Sequence, residues 1–292
     1  MLRLLNKASD YLHRKYVGNL AVVLGSQGAL VKYQTLPKPS ALSFSREIAF
    51  PESGNWSDAW SHEERERLDG VSCYIALPDY EFCFRRFPAT KLPSKKRSAL
   101  DFLKWRLEQD LGEIQDGCKL AIGQSATDDD TNSLFMIKEE RFREVTNLVT
   151  SAKAQPKMLL PVGFFVVDQL QRSDDVLALL CSSRVLVFLW EDYWSLFLLN
   201  EHGNIARYRS CRWSDDLAQA DELSELSAEF SLYIPSSGKA LLAGVRQLCE
   251  QFKESAAQQG CAVALIDRFI FDDSRSAKAT SKLLEAVMLY ES

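Results

Sequence analysis

Two groups of residues could do chemistry here. The first is the turn in 19-NLAVVLGSQGALVKYQ-34, where Gly25-Ser26-Gln27-Gly28 joins two apolar runs. Glycines let backbone N–H groups approach phosphate oxygens, and a serine hydroxyl adds a donor, so such a turn can cradle a phosphate. It can equally be a tight hairpin that keeps only the outline of that site. The second group is basic: Arg85, Arg86, Lys91, Lys95, Lys96 and Arg97 form the densest cationic cluster of a chain whose net charge is −5. Those charges suit either a solvated loop or a docking site for an acidic partner or an anionic membrane surface.

The other constellations fall to plainer readings. Ser236-Ser237-Gly238-Lys239 lacks the upstream glycine of a phosphate loop and reads as a helix cap. Asp128-Asp129-Asp130 has no glutamate at calcium-loop spacing and reads as a solvated loop. No Gly-x-Ser-x-Gly elbow is present. The 3 histidines, His13, His62 and His202, are dispersed, so a histidine metal site is not expected, and His202 reads as a turn residue.

Of the 292 residues, 46% are hydrophobic and 26% charged, which is the balance of an ordinary globular protein. The acidic net charge excludes a general nucleic-acid binder. No apolar run reaches the ~18–20 residues needed to span a bilayer. The longest, 185-VLVFLW-190 and 193-YWSLFLL-199, are strand-length and separated by Glu191-Asp192. The opening 1-MLRLLNKASDYLHRKY-16 lacks the core of a signal peptide and reads as an amphipathic basic surface segment. There are 7 cysteines and no Cys-x-x-Cys; Cys73, Cys83, Cys181 and Cys249 fall in apolar stretches, pointing to reduced thiols and a cytoplasmic setting.

The elements that must position these residues follow from periodicity. Strands are expected at 19–25, 28–34 and 41–50, a helix over 56–70 capped by Ser57 or Asp58, and strands at 71–78 and 79–89, the latter alternating through Tyr80, Phe82 and Phe84. A helix over 94–112, strands at 118–124 and 133–138 and a helix burying Phe142, Val145, Leu148 and Val149 complete a candidate α/β subdomain over about 79–155. After 175–183, strands are expected at 184–190, 193–200 and 204–212, with Gly203 in a turn. The group Trp190, Tyr193, Trp194 and Phe197 reads as core. Two helices with stripes Leu217–Leu226 and Leu241–Phe252, a strand at 261–267 and a helix near 277–289 end the chain. Each half thus opens with three short strands and continues through helices and further strands, which suggests two related lobes.

That order resembles the actin-like (ribonuclease H-like) α/β fold, in the variant with a small subdomain inserted into the first lobe. More narrowly, the chain is similar to the PilM, MshI and GspL family of type IV pilus and type II secretion assembly. The resemblance is carried by 76-ALPDYEFCFRRFPATKLPSKKRSALDFLKWRLEQDLGEI-114, with Leu77-Pro78-Asp79, Arg85-Arg86, Leu92-Pro93, Trp105 and Glu108-Gln109 at the family's positions. The stretch 153-KAQPKMLLPVGFFV-166 and the leader 1-MLRLLNK-7 add to it. The resemblance implies a first lobe over 1–172, with the insert at about 79–155, and a second lobe over 173–292.

Actin-like ATPases hold phosphates between two turns, each usually carrying Asp-x-Gly. Here the first such pattern is Val23-Leu24-Gly25-Ser26, and the second falls at Leu189-Trp190-Glu191 with Ser195 in the usual threonine's place. Both aspartates are missing. Glu191 about 4 Å from a phosphate would cost on the order of 1–4 kcal/mol at effective dielectric constants of about 80 to 20. The adenine-side Gly-Gly turn is expected after 262-AVALIDRFIFDD-273, where no glycine occurs. Gly25, Ser26 and Ser195 are therefore vestigial positions, no cofactor is expected, and catalytic and metal residues are none. The alternative is an active ATPase that binds Mg-ATP through Glu191 or Asp192. The resemblance implies a scaffold peripheral to the inner membrane, binding a PilN-like cytoplasmic tail in the groove between the first lobe and its insert, with self-association as an option. Arg85, Arg86 and Trp105 are the candidate partner-binding residues.

Overall fold

A computed structural model describes residues 18–25, 28–35, 43–49, 56–88, 93, 95–111, 117–124, 131–214, 219–234, 239–272 and 277–288. In chain order, the described elements begin with β1 (Gly18–Leu24), β2 (Gly28–Thr35), β3 (Phe44–Ala49), α1 (His62–Leu68), β4 (Ser72–Leu77) and β5 (Phe82–Pro88). Next come α2 (Lys96–Leu111), β6 (Cys118–Gln124), β7 (Thr131–Lys138), α3 (Glu139–Ser151), β8 (Gln155–Pro161), α4 (Val162–Gln171) and α5 (Asp174–Ser183). The remainder is β9 (Val185–Leu189), β10 (Tyr193–Leu199), β11 (Ile205–Arg212), α6 (Gln219–Ser231), β12 (Ala240–Val245), α7 (Arg246–Gln258), β13 (Val263–Phe271) and α8 (Ala277–Met288).

The described residues gather into two compact units. The first takes the described residues that fall within 1–77, 143–166 and 283–292, the second those within 78–142 and 167–282. In the first unit the sheet order is β3-β2-β1-β4-β8. β1 to β3 form the expected antiparallel meander, and β4 and β8 then add in parallel. β1 sits at the centre and is buried along nearly its whole length. β8 was not among the expected strands; it carries Pro156 and Pro161, and as an edge strand it can do without their missing N–H groups.

The helix expected over 56–70 is two pieces, a 3-10 turn at Trp56–Ala59 and then α1. Ser61, not Ser57 or Asp58, caps α1: its hydroxyl accepts from Glu64 N at 3.2 Å, and Glu64 Oε2 accepts from Ser61 N at 2.8 Å. The break lets Trp60 turn inward, where it is 2% exposed and donates Nε1–H to the Leu148 carbonyl at 2.9 Å. Arg46 on β3 grips Glu64 at 2.7 and 3.0 Å and lies over the Trp60 ring. Burial alone would raise the Glu64 pKa; the Ser61 N–H and the Arg46 guanidinium outweigh it and hold the carboxyl below its ordinary value.

The second unit repeats the sheet plan. Its order is β11-β10-β9-β12-β13, again an antiparallel meander followed by two parallel strands. Here one expectation fails. The stripe Leu241–Phe252 is not one helix: Ala240–Val245 is the buried strand β12, and the helix begins at Arg246. On one face of the sheet, α6 and α7 pack Leu223, Leu226 and Phe230 against Leu248 and Phe252, with the two phenylalanine rings 5.1 Å apart. The same unit holds a small antiparallel sheet of order β5-β7-β6, covered by α2 through Leu103 against Leu134. Residues 79–81 ahead of β5 form a 3-10 turn instead of continuing the strand. Among the described residues, no helix is long and apolar enough to cross a membrane.

Candidate functional site

The β1–β2 turn is closed by its own backbone, Gly25 N donating to Gly28 O at 2.9 Å. Val23, at the position of the expected aspartate, is buried, while Gly25 is exposed. Gly28 has a packing reason to be glycine: a Cβ there would sit 2.5 Å from the Ile48 carbonyl oxygen on β3. Ser26 and Gln27 lie outside the described residues, as do the leader 1–17, Asp128–Asp130 and Ser236–Gly238.

In the second unit the β9–β10 turn is closed in the same way, Trp190 N donating to Tyr193 O at 2.9 Å. Trp190, Tyr193, Trp194 and Phe197 are all buried, as their alternation led us to expect. Trp190 lies nearly parallel to Phe188 and to Phe271 at the end of β13, each ring centre 6.1 Å away, and its carbonyl accepts from Trp213 Nε1 at 2.7 Å. The Gly244 carbon is pressed against the end of β9, with φ +118° and the Leu189 carbonyl oxygen 2.1 Å from where a Cβ would stand. That glycine serves a close strand approach.

Ser195 is fully buried. Its hydroxyl donates to Asp79 Oδ2 at 2.8 Å and lies 2.8 Å from Ser210 Oγ. Asp79, from the Leu77-Pro78-Asp79 turn, is itself 0% exposed. Beside it the Tyr208 hydroxyl reaches the carbonyls of Phe82 (2.9 Å) and Asp79 (3.2 Å). Burial, and then the Asp79 charge, push the phenol pKa values of Tyr193 and Tyr208 upward, so both remain neutral, and Tyr208 is the one that donates to the two carbonyls. The buried acid–hydroxyl cluster therefore ties the start of β5 to β10 and β11.

The outer end of this tie opens into a groove of about 440 Å³. β5 contributes Phe84, Arg85 and Arg86; β10 gives Leu196 and Leu198; β11 gives Ala206 through Arg209; α6 and the residues after it give Glu229 and Tyr233. Four arginines thus face one glutamate over an apolar floor. Arg209 is held by Glu229, its Nη1 2.8 Å from both carboxylate oxygens. Arg85 is exposed and donates only to the Phe84 carbonyl, at 3.1 Å, and Arg207 is exposed; neither forms an ion pair among the described residues. Tyr233, 43% exposed, forms one wall, and Leu232 beside it is 80% exposed.

Of the three candidate partner-binding residues, Arg85 and Arg86 line this groove and Trp105 does not. Trp105 projects from α2, 56% exposed, with its ring against Phe102. Arg207 and Arg209 went unflagged in the sequence, although their alternation in 205-IARYRSCR-212 is a legible sign of two guanidinium groups on one strand face. Among the described residues, no group of three His, Cys, Asp or Glu side chains is arranged to hold a metal ion.

No protein-family model matches the chain, and no curated protein matches it in sequence. Solved structures do. The cytoplasmic domain of EpsL, an inner membrane component of the type II secretion system of Vibrio cholerae, superposes with a TM-score of 0.53 at 14% identity, covering 94% of this chain and 96% of that one. A chain of the PilM–PilN type IV pilus biogenesis complex gives a TM-score of 0.60 at 13% identity, over 95% and 100% of the two chains. A Bacteroides thetaiotaomicron protein with an actin-like ATPase fold and unknown function gives 0.59 at 10% identity, over 93% and 97%. The chain has an actin-like ATPase fold. Its two five-stranded sheets, each a meander extended by two parallel strands, are the repeated half of that architecture.

Proposed function

We propose that this protein is an adaptor of a type IV pilus or type II secretion assembly platform, which binds the cytoplasmic tail of an inner-membrane partner and does not hydrolyse ATP. The observation that carries the reading is the arginine-lined groove, where Arg85 and Arg86 meet Arg207 and Arg209 over an apolar floor in an acidic chain. Full-length likeness in fold to the EpsL cytoplasmic domain and to a chain of the PilM–PilN complex supports the assembly-platform setting. Apolar anchors on the floor would supply affinity, and the rim arginines would steer encounter and fix orientation. The protein would work on the cytoplasmic face of the inner membrane, held there by its partner.

The two turns argue against ATP and Mg²⁺ as cofactors. Val23 and Leu189 are buried apolar side chains where metal-organising aspartates are needed, and Ser195 is turned into the buried cluster with Asp79. Gly25 and Ser195 then persist for a hairpin and for a structural hydrogen bond. The test is retention of candidate tails, from bitopic pilus and secretion proteins encoded beside this chain, on the immobilised protein. Binding that fails when Arg85 and Arg86 are both changed to Glu is the expected result. Absence of binding by every such tail sinks the adaptor reading.

A further inference from the structure

We infer that the groove takes one kind of occupant: an extended peptide segment in which acidic and apolar residues alternate, lying along β11. The inference rests on the adaptor reading above and names the chemistry of the partner's segment.

The groove wall is made of consecutive residues on two strands, Phe84–Arg86 of β5 and Ala206–Arg209 of β11. Both strands are edges, β5 of the small sheet and β11 of the larger one. Four residues of β11 span about 10 Å at the rise of a strand. An occupant that follows them is itself extended, and along the edge it can pair with backbone groups that no described strand engages.

The side chains fix the pattern. Arg207 and Arg209 lie opposite Leu198 and Leu196 and share their face, whereas Ala206 and Tyr208 point to the other, where Tyr208 meets Phe84 at 5.7 Å. Every second residue of an extended occupant therefore meets guanidinium groups, and the residues between meet apolar surface. Arg209 is occupied by Glu229, whereas Arg207 on the same face is exposed and forms no ion pair among the described residues, with Arg85 exposed on the facing wall. Guanidinium forks match carboxylates in a bidentate way. Charged edge residues also discourage edge-to-edge aggregation, and that role alone would make arginines and lysines equivalent here and would need no groove. The apolar floor beneath the arginines marks a peptide, in place of a membrane surface, as the occupant.

The probe is a fluorescein-labelled octapeptide of alternating glutamate and valine, read by anisotropy at low and physiological salt. A lysine–valine octapeptide and phosphatidylglycerol vesicles serve as controls. Arg207→Glu and Arg85→Glu, both at exposed positions, are each expected to weaken binding about tenfold or more while melting within about 2 °C of the unaltered protein. The lysine–valine peptide is expected not to bind. Equal binding of both peptides, equal binding by the variants, or vesicles that bind and displace the peptide would overturn the inference. A tail that binds the unaltered protein and both variants alike removes the groove and leaves the adaptor reading standing. An acidic peptide that binds as described, with no natural tail that does, removes the adaptor reading instead.

Discussion

If Ser195 has been drawn from a phosphate-binding position into the structure, Ser195→Ala must weaken the fold. Its hydroxyl donates to Asp79 Oδ2 at 2.8 Å, and both residues are 0% exposed. Water cannot replace the lost donor, so the full strength of a hydrogen bond to a carboxylate is at stake, about 1.5–3 kcal/mol. At roughly 2–4 °C per kcal/mol for a protein of this size class, the melting temperature should fall by about 3–12 °C. Asp79→Asn should lower it too, and the double variant should lose less than the two single losses together, because both singles break one shared bond. Circular dichroism melts of the four proteins, with and without Mg-ATP, provide the assay. A Ser195→Ala protein that melts within about 1 °C of the original, or strictly additive losses, would refute the structural role assigned to this serine.

Three further outcomes follow from particular contacts. Gly244→Ala places a methyl 2.1 Å from the Leu189 carbonyl oxygen at φ +118°, so strain and overpacking should together cost about 3–5 kcal/mol, read as a large drop in melting temperature or in soluble yield. Glu64 has a folded pKa below its unfolded value, so its stabilisation is complete above the ordinary carboxylate range near pH 4.3 and fades as pH falls through the folded value. Glu64→Gln should therefore lower the melting temperature at pH 7, and the gap to the unaltered protein should close as the pH falls through the folded value. Burial pushes the Cys249 thiol up to about 12 and the Cys73 thiol well above its ordinary value. Brief alkylation of the native protein at pH 7.5, read by mass spectrometry, should spare both while partly exposed Cys261 reacts.

What could be read from the sequence depended on whether an element shows two faces. β11 and β3, edge strands that alternate, were expected as strands because turn and break residues bound them. β12 was not, because it lies between β9 and β13 with every residue buried and so has no alternation. It also runs straight into α7, so that Leu241, Val245, Leu248 and Phe252 mimic a single helical stripe. Gly244, with its positive φ, was the available warning. β8 was not expected either, and it carries two prolines that an edge position tolerates. The groove was half legible: the adjacent pair Arg85-Arg86 drew notice, whereas Arg207 and Arg209 gained meaning only once register set them over Leu198 and Leu196. The Ser195–Asp79 contact joins residues 116 apart in sequence, and nothing local announces it.

The central claim is that an actin-like fold here serves as a binding scaffold without a nucleotide. Thermal melting of the purified protein with Mg-ATP tests it most directly. A ligand at 100 times its dissociation constant stabilises a fold by about 2.7 kcal/mol, a rise of roughly 5–10 °C. The account predicts no rise at millimolar Mg-ATP. A magnesium-dependent rise of several degrees would contradict it and make the turns at Gly25 and Trp190 a working site.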